Sequence, residues 1–280
     1  MVAALLRAAR HRFVADLDPR DRAREYRALL ASARQRGYRI VSLSTFWRAV
    51  HDPARAIETP MLVLRHDVDL PDRRGNEMFH RIERELGASA TYYFRLGTID
   101  AHRDLVGRLL AGPFEVGYHY EEAAAVARQH GVRSRVGLLD LREEIVQRFL
   151  SNVELFRRRW NPDLMSAAAH GDWLNRRLRI TNGEFIDDEV LEAAGLEFEA
   201  YGQGVMLNAD VYVSDVAPAP ERWKDGYGLD AALRDGRSPI YLLTHERQWH
   251  GAPTVKVRDD AGRLAAELDY RIRSARARSR

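Results

Sequence analysis

The chain has 280 residues, room for one large domain or two modest ones, and its 45% apolar and 30% charged content marks a globular chain rather than a disordered one. Its 44 basic and 41 acidic residues interleave to a net charge of +3, and only Lys224 and Lys256 are lysines, which argues against a clustered nucleic-acid surface and leaves the tail RIRSARARSR as a solvated end. The lack of cysteine excludes a disulfide framework, thiolate catalysis and thiolate metal sites. The opening run MVAALLRAARHRF is too short for a secretory core and no small-residue cleavage site follows. No window approaches a membrane span, so the expected location is the cytoplasm.

Taken in order, residues 3 to 36 carry apolar positions at helical spacing, Gly37 is placed as a stop, and YRIVSL reads as a short strand. From residue 61 an alternation sets in. MLVLRHDV is a strand and RGNEMFHRIERELG a helix; SATYYFRL is a strand and AHRDLVGRLLAG a helix. FEVGYHY is a strand, LLDLREEIVQRFLSNVELFRRRW a long helix and LMSAAAH a strand. DDEVLEAAG (helix), DVYVSD (strand), DAALRDG (helix) and PIYLLTH (strand) complete the series. Strands alternating with helices mean a parallel sheet with crossover helices. At this length a barrel-like closure is at least as good a fit as an open sheet.

The polar residues fall at one edge of that sheet. The first strand of the series ends in Asp67 and Asp69, another in His119, a later one in His170 and the last in His245. In parallel α/β folds functional side chains gather at the carboxyl ends of strands. Each histidine alone reads equally well as a hydrogen-bonded strand end; the set carries the weight. Asp67 and Asp69 are two apart and start on one face. Two close carboxylates repel, which raises one pKa or demands a cation. Carboxylate and imidazole in a cysteine-free chain suit zinc, iron, cobalt or manganese, with one Asp binding the ion and the other serving as base. The bland alternative is a pair of loop carboxylates capping the helix that LPDRRGNE opens.

The strings LRHDVD, GASATYYFR and EVGYHYE resemble the polysaccharide deacetylases of the NodB-homology type (carbohydrate esterase family 4), in particular their divergent intracellular branch with HDVD, GYHYE, Ser…His-Gly and late Leu-Thr-His strings. The resemblance spans residues 60 to 250. It implies a single-domain distorted (β/α) barrel over residues 61–250, with an N-terminal helical extension over 1–60 and a C-terminal helix and basic tail over 251–280. It also implies metal-dependent amide hydrolysis of N-acetylated sugars. Asp67 would be the general base, Asp69 a metal ligand, His119 the first histidine ligand and His245 the general acid. The family's second histidine falls at Ala123, which removes a standard ligand; His170 is the replacement expected, with Glu121 or Glu122 behind it. The Arg-Pro-Pro-Tyr string of the family is also missing, and SAAAHGDW stands in its place. The cofactor implied is one divalent ion, zinc first, with iron, cobalt and manganese as alternatives. The implied substrate is an N-acetylated sugar or small glycoside, with no nucleic-acid or membrane partner; the oligomeric state is not legible.

Two rivals follow from the same residues. The D-x-D also resembles a haloacid-dehalogenase-type phosphatase, although Leu70-Pro71 follows where that pattern wants Gly and Thr or Val. A non-catalytic carbohydrate-binding protein draws on Ala123 and on Tyr92, Tyr93, Trp173 and Trp249 as stacking surfaces, Trp249 being the best placed of them.

Overall fold

Strand β2 (Met61–Val68) is buried at all eight positions, the pattern of a parallel strand covered on both faces, and its bounds match the MLVLRHDV run. The computed structural model to which it belongs describes residues 21–55, 58–216, 223–250 and 253–276. These divide into two compact units. The first takes the described residues up to Val116 together with Gln203–Val257; the second takes Gly117–Gly202 and the described residues from Arg258 onward.

In the first unit β1 (Arg39–Val41), β2, β3 (Thr91–Phe94), β7 (Val211–Ser214) and β8 (Ile240–His245) pair in parallel. β2 lies between β8 and β3, with β1 pairing its first residues and β7 lying beyond β8. Crossover helices carry the chain between strands, as at Arg73–Glu85 and Arg103–Leu110. In the second unit the part of β4 (Glu115–Tyr120) from Gly117 onward, β5 (Ser166–Ala169) and β6 (Phe198–Glu199) pair in parallel, and helices Glu122–His130 and Arg142–Arg159 accompany them. Each unit is thus the parallel α/β structure that the alternation predicts.

The differences from expectation are local. The extended run YRIVSL stops at Val41 because Ser42 accepts the backbone N–H of Thr45 and opens a helix over Leu43–His51. The long helix begins at Arg142, since a separate short helix (Arg135–Leu139) capped by Ser134 precedes it. Of the helix expected over residues 3 to 36, Ala23–Gln35 is seen; residues 3–20 lie outside the described set, as do residues 277–280 of the basic tail. Helix Pro253–Arg276 supplies the expected C-terminal element. Among the described residues no helix is long and apolar enough to cross a membrane.

Candidate active site

Alternation along β2 sorts its polar residues onto two faces, and this separates chemistry from scaffolding. On one face Arg65 and Asp67 form a fork: Arg65 Nε and Nη2 donate to the two Asp67 oxygens at 2.7 and 2.9 Å. The remaining guanidinium nitrogen donates to the Tyr241 hydroxyl at 2.9 Å, and the group lies 5.0 Å from the Tyr93 ring centroid. Arg65 and Asp67 are both buried. A bidentate charge-assisted pair fixes the direction as well as the charge of a carboxylate.

His66 points the other way. Its Nδ1 meets Thr244 Oγ1 at 2.7 Å and its Nε2 meets Glu83 at 2.8 Å. Glu83 also accepts the hydroxyls of Tyr26 and Tyr92, each at 2.6 Å. Burial pushes the Glu83 carboxyl up, but His66 and the two tyrosines outweigh it and hold the group below its usual range. Burial, then the Glu83 charge, pushes both tyrosines well above theirs. This histidine belongs to a closed internal network. The cap of the following helix is Asp72, which accepts from Arg74 N, so neither Asp67 nor Asp69 is spent as a helix cap.

His245 stands directly across from Asp67 in the β2–β8 register. Its Nδ1 lies 2.7 Å from Asp215 Oδ1, and its Nε2 lies 3.9 Å from Asp67 Oδ2. Asp215, itself fully buried, also accepts the His245 backbone N–H at 2.9 Å and the Trp249 indole N–H at 2.7 Å. Three donors on one carboxylate lock the ring, with Nδ1–H committed and Nε2 aimed at Asp67. Burial alone would lower the imidazole pKa; Asp215, then Asp69 and Asp67, overcome it and lift it to about 10. His245 is therefore an imidazolium at neutral pH. Its contribution to folding stability is complete below its unfolded pKa of about 6.5 and is lost as pH rises through about 10.

Removing the Asp215 charge leaves burial as the largest influence on that ring. In Asp215→Asn the His245 pKa is expected to fall, so that the ring loses its proton at a lower pH than the parent's does. Ring-proton NMR titration checks this; an unchanged midpoint would show that Asp215 does not hold the proton.

Asp69 lies one residue past the end of β2 and is half-buried. Its charge helps raise both His245 and Glu246. Glu246 is buried, and one of its oxygens accepts Leu70 N–H at 2.7 Å. Burial, with Asp69 next, pushes its carboxyl up to about 8. Trp249 is likewise fully buried, and Tyr92 and Tyr93 with it, so none of the three presents a face to a sugar.

In the second unit His119 is the penultimate residue of β4 and His170 follows β5, and their rings meet edge to face with centroids 5.1 Å apart. His119 is buried, and its Nδ1 lies 2.9 Å from the Ala168 carbonyl oxygen, so Nδ1 carries the proton and Nε2 is the nitrogen with a lone pair in the ring plane. His170 is held by its own backbone, through His170 N–H to Tyr120 and Asn182 Nδ2 to its carbonyl. Glu121 lies 3.5 Å from His170 Nδ1. Glu121, His170 and Asp172 offer ligand atoms within 4.8 Å of one another, a group that could hold a metal ion. Asp172, however, already caps helix Trp173–Leu178 through Leu174 N and pairs with Arg128. Glu122 turns away from His170 and is engaged by Tyr118 and Asn152, with burial pushing its carboxyl up. It is unsuited to replace a ligand. Ala123 is buried in the first turn of its helix.

Arg65 and Asp215 escaped the sequence reading, yet both had a signal. Arg65 is two residues before Asp67 on the same strand face. Asp215 ends the DVYVSD run, at the same strand edge from which the histidines were chosen. Comparisons with protein-family models, with curated proteins and with solved structures find no match to this chain.

Proposed function

We propose that this protein hydrolyses the N-acetyl amide of an amino sugar or related glycoside as a metal-dependent deacetylase. The observation that carries the reading is the Asp67–His245 pair, a carboxylate and an imidazolium 3.9 Å apart, each held by its own counter-charge. Amide hydrolysis needs that combination: a base for the attacking water and an acid for the departing nitrogen. Asp69, His119 and His170 are the proposed ligands of one divalent ion, with zinc first and iron, cobalt or manganese as alternatives. The tautomer that Ala168 imposes on His119 fits such a role, because it leaves Nε2 as donor. When bound, the ion polarises the scissile carbonyl and increases the acidity of the attacking water.

The remaining steps belong to the chain itself. Arg65 holds the Asp67 carboxylate in one orientation while Asp67 takes a proton from water. The C–N bond then breaks with delivery of the His245 Nε2 proton to the amine, because an amide anion is a very poor leaving group. Asp215 holds the Nδ1 proton, which fixes the ring with Nε2 toward Asp67, and stabilises the charged ring beforehand. The phosphatase alternative would make Asp67 a nucleophile, but Leu70-Pro71 follows Asp69 where that pattern wants Gly and Thr or Val. The sugar-binding alternative loses three of its four stacking surfaces with the burial of Trp249, Tyr92 and Tyr93, and the fourth, the half-buried Trp173, packs edge to face on Tyr270.

The test pairs elemental analysis of purified protein with acetate release from a panel of N-acetylated amino sugars. Asp69→Ala is expected to lose both the ion and turnover while keeping its circular dichroism spectrum. Full metal content in that variant would overturn the ligand assignment, and phosphate release without acetate release would overturn the reaction.

A further inference from the structure

Helix Pro253–Arg276 is set into the protein with its apolar side outward. Val257, Leu264, Leu268 and Ile272 are 41, 62, 60 and 45% exposed, and Ala261 and Ala265 between them are exposed too. At about 100° per residue these six positions form one stripe about 100° wide, and no charged residue falls inside it. The buried side of the same helix is polar. Lys256 and Tyr270 are the buried residues there; the Tyr270 hydroxyl donates to the Val132 carbonyl, and its ring contacts Trp173 and Arg177. Amphipathic helices place the apolar stripe on the core side. This inversion leaves four large side chains in water over four turns, the signature of a surface built for a partner.

We propose that the stripe is the interface with a second copy of this chain, its helix running antiparallel. The sequence of the stripe is complementary to itself when reversed. A two-fold axis between Leu264 and Ala265 sets Val257 against Ile272, Ala261 against Leu268, and Leu264 against Ala265. Each contact except the Val–Ile pair at the ends then joins a large side chain to a small one, the arrangement that lets two helices approach closely. The borders agree. In an antiparallel pair like borders face each other, so Arg258 on one border meets the second copy's Asp269, and Asp260 on the other meets the second copy's Arg271. Both meetings occur twice by symmetry, and all four residues flank the stripe. A parallel pair would stack Ala261 on Ala261 and Leu264 on Leu264, mismatching the layers.

The test is the oligomeric state of the full-length protein by sedimentation across a concentration series. A dimer is expected, and Leu268→Glu should raise its dissociation constant about a hundredfold without altering the circular dichroism spectrum. Because the chain has no cysteine, crosslinking reports direction cleanly. Val257→Cys combined with Ile272→Cys should form an intermolecular disulfide on mild oxidation, and Val257→Cys alone should not. A monomer at every concentration, a dimer indifferent to Leu268→Glu, or ready crosslinking of Val257→Cys alone would each overturn the proposal. A monomer that instead binds lipid vesicles through the stripe would overturn it equally.

Discussion

Asp67→Asn is expected to lower turnover of acetamido substrates by about a hundred- to ten-thousandfold while leaving metal content unchanged. General base catalysis contributes on that order, and the carboxylate is the group opposite His245 across the β2–β8 register. Asparagine keeps the shape and removes the basicity. It also sets an amide NH2 against one prong of the Arg65 fork, where a donor now meets a donor, so some stability is lost as well. Thermal melting separates the two effects: a folded, metal-replete variant without turnover assigns the loss to chemistry. Near-normal acetate release would remove Asp67 from the mechanism.

Arg65→Met is expected to be among the most destabilising single substitutions in the first unit. Arg65 is fully buried, and Asp67 takes two charge-assisted hydrogen bonds from it, at 2.7 and 2.9 Å. Removing one partner of a buried ion pair costs about 3–5 kcal/mol, because the other charge stays buried without compensation. For a chain of this size that corresponds to a fall in Tm on the order of 10 °C. Arg65→Met combined with Asp67→Leu should recover most of the loss and remain inactive, since an apolar pair of similar volume carries no desolvation penalty. A single variant that melts like the parent would show that water already compensates Asp67.

What the sequence discloses and what it conceals divide along physical lines. β2 is legible to the residue, because eight buried positions in a parallel strand leave no competing periodicity. Helix Glu122–His130 goes unread: four of the nine residues of EAAAVARQH are alanine, which buries without marking a face, and its clearest sign is Gly131 at φ 62, the left-handed stop. β6 is two residues long and offers no alternation to detect. At the site, residues chosen for chemistry at strand ends can be found by rule, and His245 beside Asp67 follows from the last strand pairing with β2. The groups that tune them cannot be ranked that way. Whether Asp215 or Glu246 reaches the His245 ring depends on side-chain direction: the adjacent Glu246 bonds Leu70 N–H, and Asp215, thirty residues back, takes the ring.

The support of His245 comes from both extremes of the first unit. Arg22 N–H donates to the Trp249 carbonyl at 2.9 Å, and the Tyr26 ring sits 5.4 Å from the Trp249 ring. Trp249 in turn anchors Asp215, and Asp215 anchors His245. On a ribosome the first of these segments emerges long before β8, and β2 waits with Arg65 and Asp67 already made but their partners Tyr241 and His245 still unsynthesised. His245 is thus placed last, by closure of contacts separated by more than two hundred residues along the chain. On the proposed mechanism an incomplete nascent chain would hold a base without its proton donor, and hydrolytic competence would arrive only once β8 is made.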